Sequence, residues 1–304
     1  MTPTIIPFTE GEALLDWLDL AEALARGHAL PRAEIGDTFL YRDPDTLLSR
    51  AAWIDGLGQL VKTATIFPGN AEAGKPSING AVTLYDDTDG TLKALVDFHL
   101  VTKWKTAGDS LLGAQLLAPE KVDTILVMGA GTVAGTLIEA FSAGFPGARF
   151  RVWNRTPARA EALAEGFHHV TAVTDLETAV PEADIILGAT MSTEPVLKGA
   201  WLRPGQHVNL IGAYRPDMRE ADDTALQRAT VYVDSCDTTL DHIGELKIPL
   251  ASGVLARDAI RADFYDIGSF TRGGPDDITL FKNGGGAHLD LMTADYILGR
   301  WMAG

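Results

Sequence analysis

The chain has 304 residues, 46% of them hydrophobic and 22% charged, which excludes a disordered or fibrous protein and leaves room for two lobes with a sizeable core. Its net charge of −16 repels nucleic acid and anionic membrane, so neither is expected as a partner, and clustered cations become candidate sites for small anions. A single cysteine, Cys236, excludes an internal disulfide, suits a reducing compartment and reads as a small packed residue rather than a nucleophile.

The opening residues, with Thr2, Pro3 and Pro7 ahead of an acidic segment, lack the basic and apolar pattern of a secretion signal, so a cytoplasmic protein is expected. Thr9 and Glu12 have the spacing of a capping box. Leu14, Leu15, Trp17, Leu18, Ala21 and Leu24 then recur at helical period, which predicts one amphipathic helix up to Gly27. From Thr38 short β-like runs take over, at 39–41, 51–54, 60–66, 81–85 and 92–98. Asp86 to Gly90 joins the last two as a hairpin, with Gly90 available for positive φ, so this part predicts an antiparallel sheet with a helix. Residues 100–118 form a helical stretch closed by Pro119, where a domain boundary is expected.

Beyond it strands alternate with helices: strands at 150–153, near Val170, at 183–187, 207–211 and 231–234, and helices at 157–165 and around 222–229. That alternation predicts an α/β fold with a doubly wound parallel sheet, to which 278–281 adds a late strand. Gly284, Gly285, Gly286 and Ala287 lead into a closing amphipathic helix through Leu289, Met292, Ile297 and Trp301. The run 124–145 carries one charge, Glu139, but its glycines divide it into a buried strand and a buried helix rather than a membrane span.

The start of that run is Val122-Asp-Thr-Ile-Leu-Val-Met-Gly129-Ala-Gly131-Thr132-Val133-Ala134, which reads as strand, phosphate loop and helix. Gly129 permits the tight turn, Gly131 lets backbone approach a pyrophosphate, and Ala134 lets helix pack on strand. In such a Rossmann-type fold an acid ending the second strand would bind the ribose of NAD. Here Asn154, Arg155 and Thr156 stand there instead, with Arg159 one helical turn on, a set suited to a 2′-phosphate. NADP(H) is therefore the expected cofactor; a solvated turn arginine is the plainer account of Arg155, and a methyl-donor site stays open. Thr190 and Met191, at a strand's carboxyl end, are placed to border the nicotinamide.

In the first lobe the candidate anion ligands are Arg32, Lys62 and Lys105. Lys62 shares a strand face with Leu60, Ala64 and Ile66, so it either snorkels or points into an inward anion site. The seven histidines show no metal-ligand spacing, and no metal is expected; His168 and His169 read as a loop pair.

Phe67-Pro-Gly-Asn70, Ser77-Ile-Asn-Gly80, the Asp86 to Gly90 turn, Thr102-Lys-Trp-Lys105-Thr-Ala-Gly-Asp-Ser110, the Gly129 loop, Val208-Asn-Leu-Ile-Gly-Ala213 and Arg215-Pro-Asp-Met-Arg-Glu220 together resemble the ornithine cyclodeaminase/mu-crystallin family in order and spacing. The resemblance implies a homodimer with a substrate and dimerisation lobe of residues 1–118 plus 287–304 and a dinucleotide-binding domain at 119–286. It also implies a carboxylate clamp at Arg32, Lys62 and Lys105. Asp290 resembles the family's closing motif and would orient substrate or cofactor amide, against the plainer reading of a helix-start acid.

Two departures bear on the reaction. Many members have arginine where this chain has Lys105, which lacks bidentate geometry, and Tyr214 stands where cyclodeaminases carry the aspartate credited with ring closure. Both Tyr214 and the Arg155 nest point away from ornithine cyclisation and towards NADPH-dependent reduction of a cyclic ketimine acid, pyrroline-2-carboxylate or piperideine-2-carboxylate, to proline or pipecolate. Lys62, Lys105 and Asp290 would be the catalytic residues, with Lys62 managing the proton. The alternatives are cyclodeamination, another amino-acid dehydrogenation or acyclic imine reduction, and a binding protein that holds NADPH with little turnover.

Overall fold

The computed structural model describes residues 2–304, apart from the side chain of Ala71. In chain order its elements are β1 (Thr4–Ile6), α1 (Phe8–Glu12), α2 (Trp17–His28), β2 (Glu34–Arg42), β3 (Asp45–Ile54), β4 (Gly58–Ile66), β5 (Ile78–Tyr85), β6 (Leu92–Asp97), α3 (Phe98–Leu117), β7 (Thr124–Met128), α4 (Thr132–Gly144), β8 (Arg149–Trp153), α5 (Pro157–Glu165), β9 (Val170–Val173) and α6 (Leu176–Ala179). They continue with β10 (Ile185–Gly188), β11 (His207–Leu210), α7 (Asp223–Arg228), β12 (Thr230–Val233), α8 (Cys236–Thr239), α9 (Gly244–Ser252), β13 (Thr279–Lys282) and α10 (Ala287–Ala303).

The chain divides into one unit of Met1–Gly108 with Gly286–Gly304, and a second of Asp109–Gly285. The division therefore falls inside α3, ten residues before the Pro119 boundary expected from the sequence, because the helix runs on without a break until Leu117. In the first unit the sheet order is β1-β6-β5-β4-β3-β2, antiparallel except where β1 lies parallel to β6. β4 alternates inward and outward residues along most of its length, β3 and β5 only over their last few residues, and α10 packs with α2 and against β3 and β4. The first eight residues of α10, Ala287 to Ala294, are all buried, so this end is not the amphipathic helix expected there; an amphipathic face begins only past it.

The single opening helix is also two. α1 follows Pro7 without a side-chain cap, so the Thr9–Glu12 spacing caps nothing. Asp16 starts α2 instead, its carboxylate accepting from Leu18 N at 2.8 Å and Asp19 N at 3.1 Å. Replacing Asp16 with alanine should lower stability by about 1 kcal/mol, measurable by denaturant unfolding, and an unchanged midpoint would mean that solvent caps the helix as well.

In the second unit a parallel sheet runs β12-β13-β11-β10-β7-β8-β9. The order turns back between β7 and β10, the crevice where doubly wound sheets take ligands. β7, β10, β11 and β13 are buried along their whole length, as strands covered on both faces must be. The late strand does not extend the edge; it inserts between β11 and β12. Among the described residues no helix is long and apolar enough to cross a membrane, and the 124–145 run divides into β7 and α4.

Candidate active site

Within the first unit, β4 turns Leu60, Lys62 and Ala64 inward, and Lys62 is only 7% exposed. Register places Arg50 of β3 directly opposite it, hence on the same face. Lys62 Nζ donates to Asp290 Oδ1 and to Thr102 Oγ1, both at 2.8 Å, and lies 4.7 Å from the centre of the Phe98 ring. An ammonium has three N–H groups, so one remains for a ligand. Snorkelling is thus not what Lys62 does.

Asp290 comes from the first turn of α10 and is fully buried. Its Oδ2 has no hydrogen-bond partner among the described residues, and Arg50 Nη1 stands 3.9 Å from it. Burial works to raise the Asp290 carboxyl, but the charges of Lys62, Lys105 and Arg50 outweigh it and hold the group below the usual carboxylate range. Burial, helped by the charges of Lys105 and Arg50, pulls Lys62 below the ordinary lysine value although Asp290 opposes this. Arg50 is steered by Asp37, which accepts from its Nη2 at 2.7 Å. His288, also buried on α10, is held well below the usual histidine range by burial and by the charges of His28 and Lys105.

Lys62, Lys105 and Asp290 therefore form one electrostatic group, while Arg32 is exposed on the segment between α2 and β2. Arg50 escaped sequence reading. Its strand was expected to begin only at Ala51, and nothing local reveals that it faces Lys62 across the sheet.

In the second unit a cavity of about 300 Å³ lies at the carboxyl ends of β7, β8 and β10, lined by residues that include Gly129, Gly131, Asn154, Arg155, Arg159 and Thr190. Met191 also lines it and is widely exposed. Gly129 takes φ 114°, and a Cβ there would come within 2.5 Å of the Ala189 carbonyl oxygen, so no other residue fits this turn. At Gly131 an added Cβ would meet nothing within 4 Å, so the backbone is open to a ligand. Gly131 precedes α4 without a side-chain cap, leaving the first turn, which contains Thr132 and Val133, to supply N–H groups and positive dipole. Ala134 is fully buried against the sheet.

These features fit a dinucleotide phosphate. Arg155 and Arg159 reach the cavity wall, whereas Thr156 lies outside its lining. Asn154 also lines the cavity; one N–H of its Nδ2 donates to the Thr156 carbonyl at 3.0 Å, which leaves the second for a ligand. Tyr214 is 59% exposed and stacks near Arg215, which pairs with Asp217. Among the described residues no group of three or more His, Cys, Asp or Glu side chains is gathered for a metal.

The family described as ornithine cyclodeaminase/mu-crystallin matches residues 55–304. The chain is similar to a Delta(1)-pyrroline-2-carboxylate reductase of Paracoccus denitrificans, with 50% identity over 310 residues, 99% of this chain and 98% of that one. It is 35% identical over 249 residues to the ketimine reductase mu-crystallin of Mus musculus, 80% of this chain and 76% of that one. Among solved structures, the Delta(1)-pyrroline-2-carboxylate reductase of Thermococcus litoralis in complex with NADH and L-proline superposes with a TM-score of 0.89 at 25% identity, covering 99% of this chain and 98% of that one.

Proposed function

The chain belongs to the ornithine cyclodeaminase/mu-crystallin family, and from that premise we propose that it reduces a cyclic ketimine carboxylate, Delta(1)-pyrroline-2-carboxylate or its six-membered homologue, to the cyclic amino acid with NADPH. The observation that carries this reading is the buried Lys62–Asp290 pair, with Arg50 and Lys105 acting on it and one carboxylate oxygen without a hydrogen bond among the described residues.

The substrate anion is bound by Lys105 and Arg50, with Arg32 as a further carboxylate ligand implied by the family. Holding the carboxylate fixes the adjacent imine carbon, and orientation supplies much of the catalytic advantage. Lys62 Nζ, its affinity for the proton lowered by burial, holds the proton required at the ring nitrogen. Asp290 Oδ2 accepts the N–H of the iminium and of the amine product, satisfying its own vacant acceptor position. Bound NADPH supplies the hydride. Gly129, Gly131 and the start of α4 bind its phosphates, Thr190 and Met191 border the nicotinamide, and Arg155 with Arg159 takes the 2′-phosphate. Tyr214, being no carboxylate, gives no base for cyclodeamination at that position.

The Thermococcus litoralis protein is in complex with NADH, which supports a nicotinamide cofactor; the preference of this chain for NADPH rests on Arg155 and Arg159 at the cavity wall. Steady-state turnover with both imines and both cofactors tests the reading: NADPH oxidation with a cyclic imine is expected. Arg155→Ala should raise KM for NADPH about 10- to 100-fold while leaving NADH little changed. Equal use of NADPH and NADH by the unaltered protein would remove Arg155's role, and NADPH binding without turnover on any imine would favour the binding-protein reading.

The protein works as a homodimer in a reducing cytoplasm. β2, an edge strand, is exposed throughout, and it carries Ile35, Phe39, Leu40 and Tyr41 beside Trp53 of β3, an apolar edge that a second copy would cover. Leu40→Glu combined with Tyr41→Glu should convert the dimer to monomer in light scattering coupled to size exclusion; a monomeric unaltered protein would overturn the assignment.

A further inference from the structure

Glu220 and Glu245 are fully buried in the second unit and take no part in the chemistry above. Oε1 of Glu220 accepts from Thr190 N and from Thr190 Oγ1, each at 2.7 Å. Its Oε2 accepts from Gly212 N at 2.6 Å and Ala213 N at 3.2 Å. Thr190 lies just past β10 and Gly212 just past β11, so a single carboxylate ties the exits of two adjacent strands. The turns touch: a Cβ on Gly212 would fall 1.9 Å from the Thr190 carbonyl oxygen.

The neighbouring backbone continues the pattern. Arg219 N donates to the Ser192 carbonyl at 3.0 Å, and Val196 N and Leu197 N donate to the Glu220 carbonyl at 2.9 and 2.8 Å. Thr190, Ser192 and Val196 all line the cavity. Behind Glu220, the Glu245 carboxylate accepts from Glu220 N at 2.6 Å and Ala221 N at 3.0 Å. The buried Lys282 Nζ donates to the carbonyls of Leu210 and Ala213 at 3.0 and 2.8 Å, and its charge offsets that of the acids.

We propose that Glu220 is a positioning residue for the nicotinamide cofactor: its carboxylate fixes Thr190 against the Gly212 turn, and the backbone of Arg219 and Glu220 holds Ser192 and Val196 beside it, as a preformed wall of the cavity. The proposal rests on the reading of that cavity as the cofactor site. A buried carboxylate is costly unless its lone pairs are filled, and here the donors are the backbone and hydroxyl of the wall and of the adjoining turn. A wall ordered in advance spares the cofactor that ordering cost on binding.

Glutamine at position 220 presents an N–H2 to one of the two turns, where only an acceptor fits, and aspartate is too short to span both. Fluorescence titration of Glu220→Gln and Glu220→Asp with NADPH is expected to give a Kd raised about tenfold or more, with a larger rise in KM for NADPH than for the imine. A purely structural role would lower the melting temperature and the active fraction but leave the Kd of the folded fraction unchanged, and that result overturns the proposal. If the unaltered protein binds neither NADPH nor NADH, the cavity reading itself falls; if it binds NADPH and the variants bind equally well, only the role of Glu220 falls. Amide hydrogen exchange on the unaltered, cofactor-free protein tests the same point without a variant. Slow exchange at Thr190, Gly212 and Ala213 is expected, and fast exchange there overturns the preformed wall.

Discussion

Lys62→Met should lower kcat/KM for imine reduction about 10³-fold while leaving the Kd for NADPH unchanged. Methionine keeps much of the apolar stem but removes the proton at Nζ and the counter-charge 2.8 Å from Asp290 Oδ1. The Gly129 cavity belongs to the second unit, so NADPH titration checks that unit, and a thermal melt followed by circular dichroism checks the first, which holds Lys62. In the unaltered enzyme, the rate should fall as pH rises through the lowered lysine value, at a pH below that of an ordinary lysine. A Lys62→Met enzyme that retains imine turnover would remove Lys62 from the reaction and leave Asp290 and Arg50 to be explained otherwise.

The second large effect concerns stability. Burial, with the charge of Glu220 adding to it and that of Lys282 opposing, pushes the Glu245 carboxyl up from 4.5 to about 7. The folded protein thus holds a proton between pH 4.5 and about 7 that the unfolded chain has released, and stability from this group is lost as pH rises through that window. Glu245→Gln resembles the protonated form at every pH. Relative to the unaltered protein it should gain about 2 kcal/mol between pH 5.5 and pH 8, on the order of the proton-linkage difference between those two points. Denaturant unfolding of both proteins at the two pH values measures this directly. Stability curves that run parallel would mean that Glu245 is ionised throughout, with Lys282 as its effective partner.

Much of the second unit was legible because its signals are local. Pro157 at the first helical turn and Gly166 after the last bound α5 as read from the sequence, and the Gly129 loop needs only its own residues to turn strand into helix. α6, α8 and α9 left no usable period: two are single turns, and α9 carries Pro249 within it. β1 is three residues long and exists through its parallel pairing with β6, a partner far along the chain. The same distinction divides the candidate site. Lys62 was readable from alternation within one strand and Asp290 from its likeness to the family's closing motif, whereas Arg50 acquires meaning only from cross-strand register, and the pairing of Lys62 with Asp290 only from the packing of α10 against that sheet.

The first unit is assembled from two separated stretches, and this orders its folding in time. Lys62 is made early, but its counter-ion Asp290 belongs to the segment that follows all of Asp109–Gly285. During synthesis the sheet of β1 to β6 must therefore wait, with an uncompensated inward lysine and the apolar surface that α10 will cover, until the whole of the second unit has been translated. A nascent chain halted before Gly286 presents that face to solvent and to chaperones, and burying Lys62 there without Asp290 would cost several kcal/mol. The Lys62–Asp290 ion pair can close only when α10 has been made.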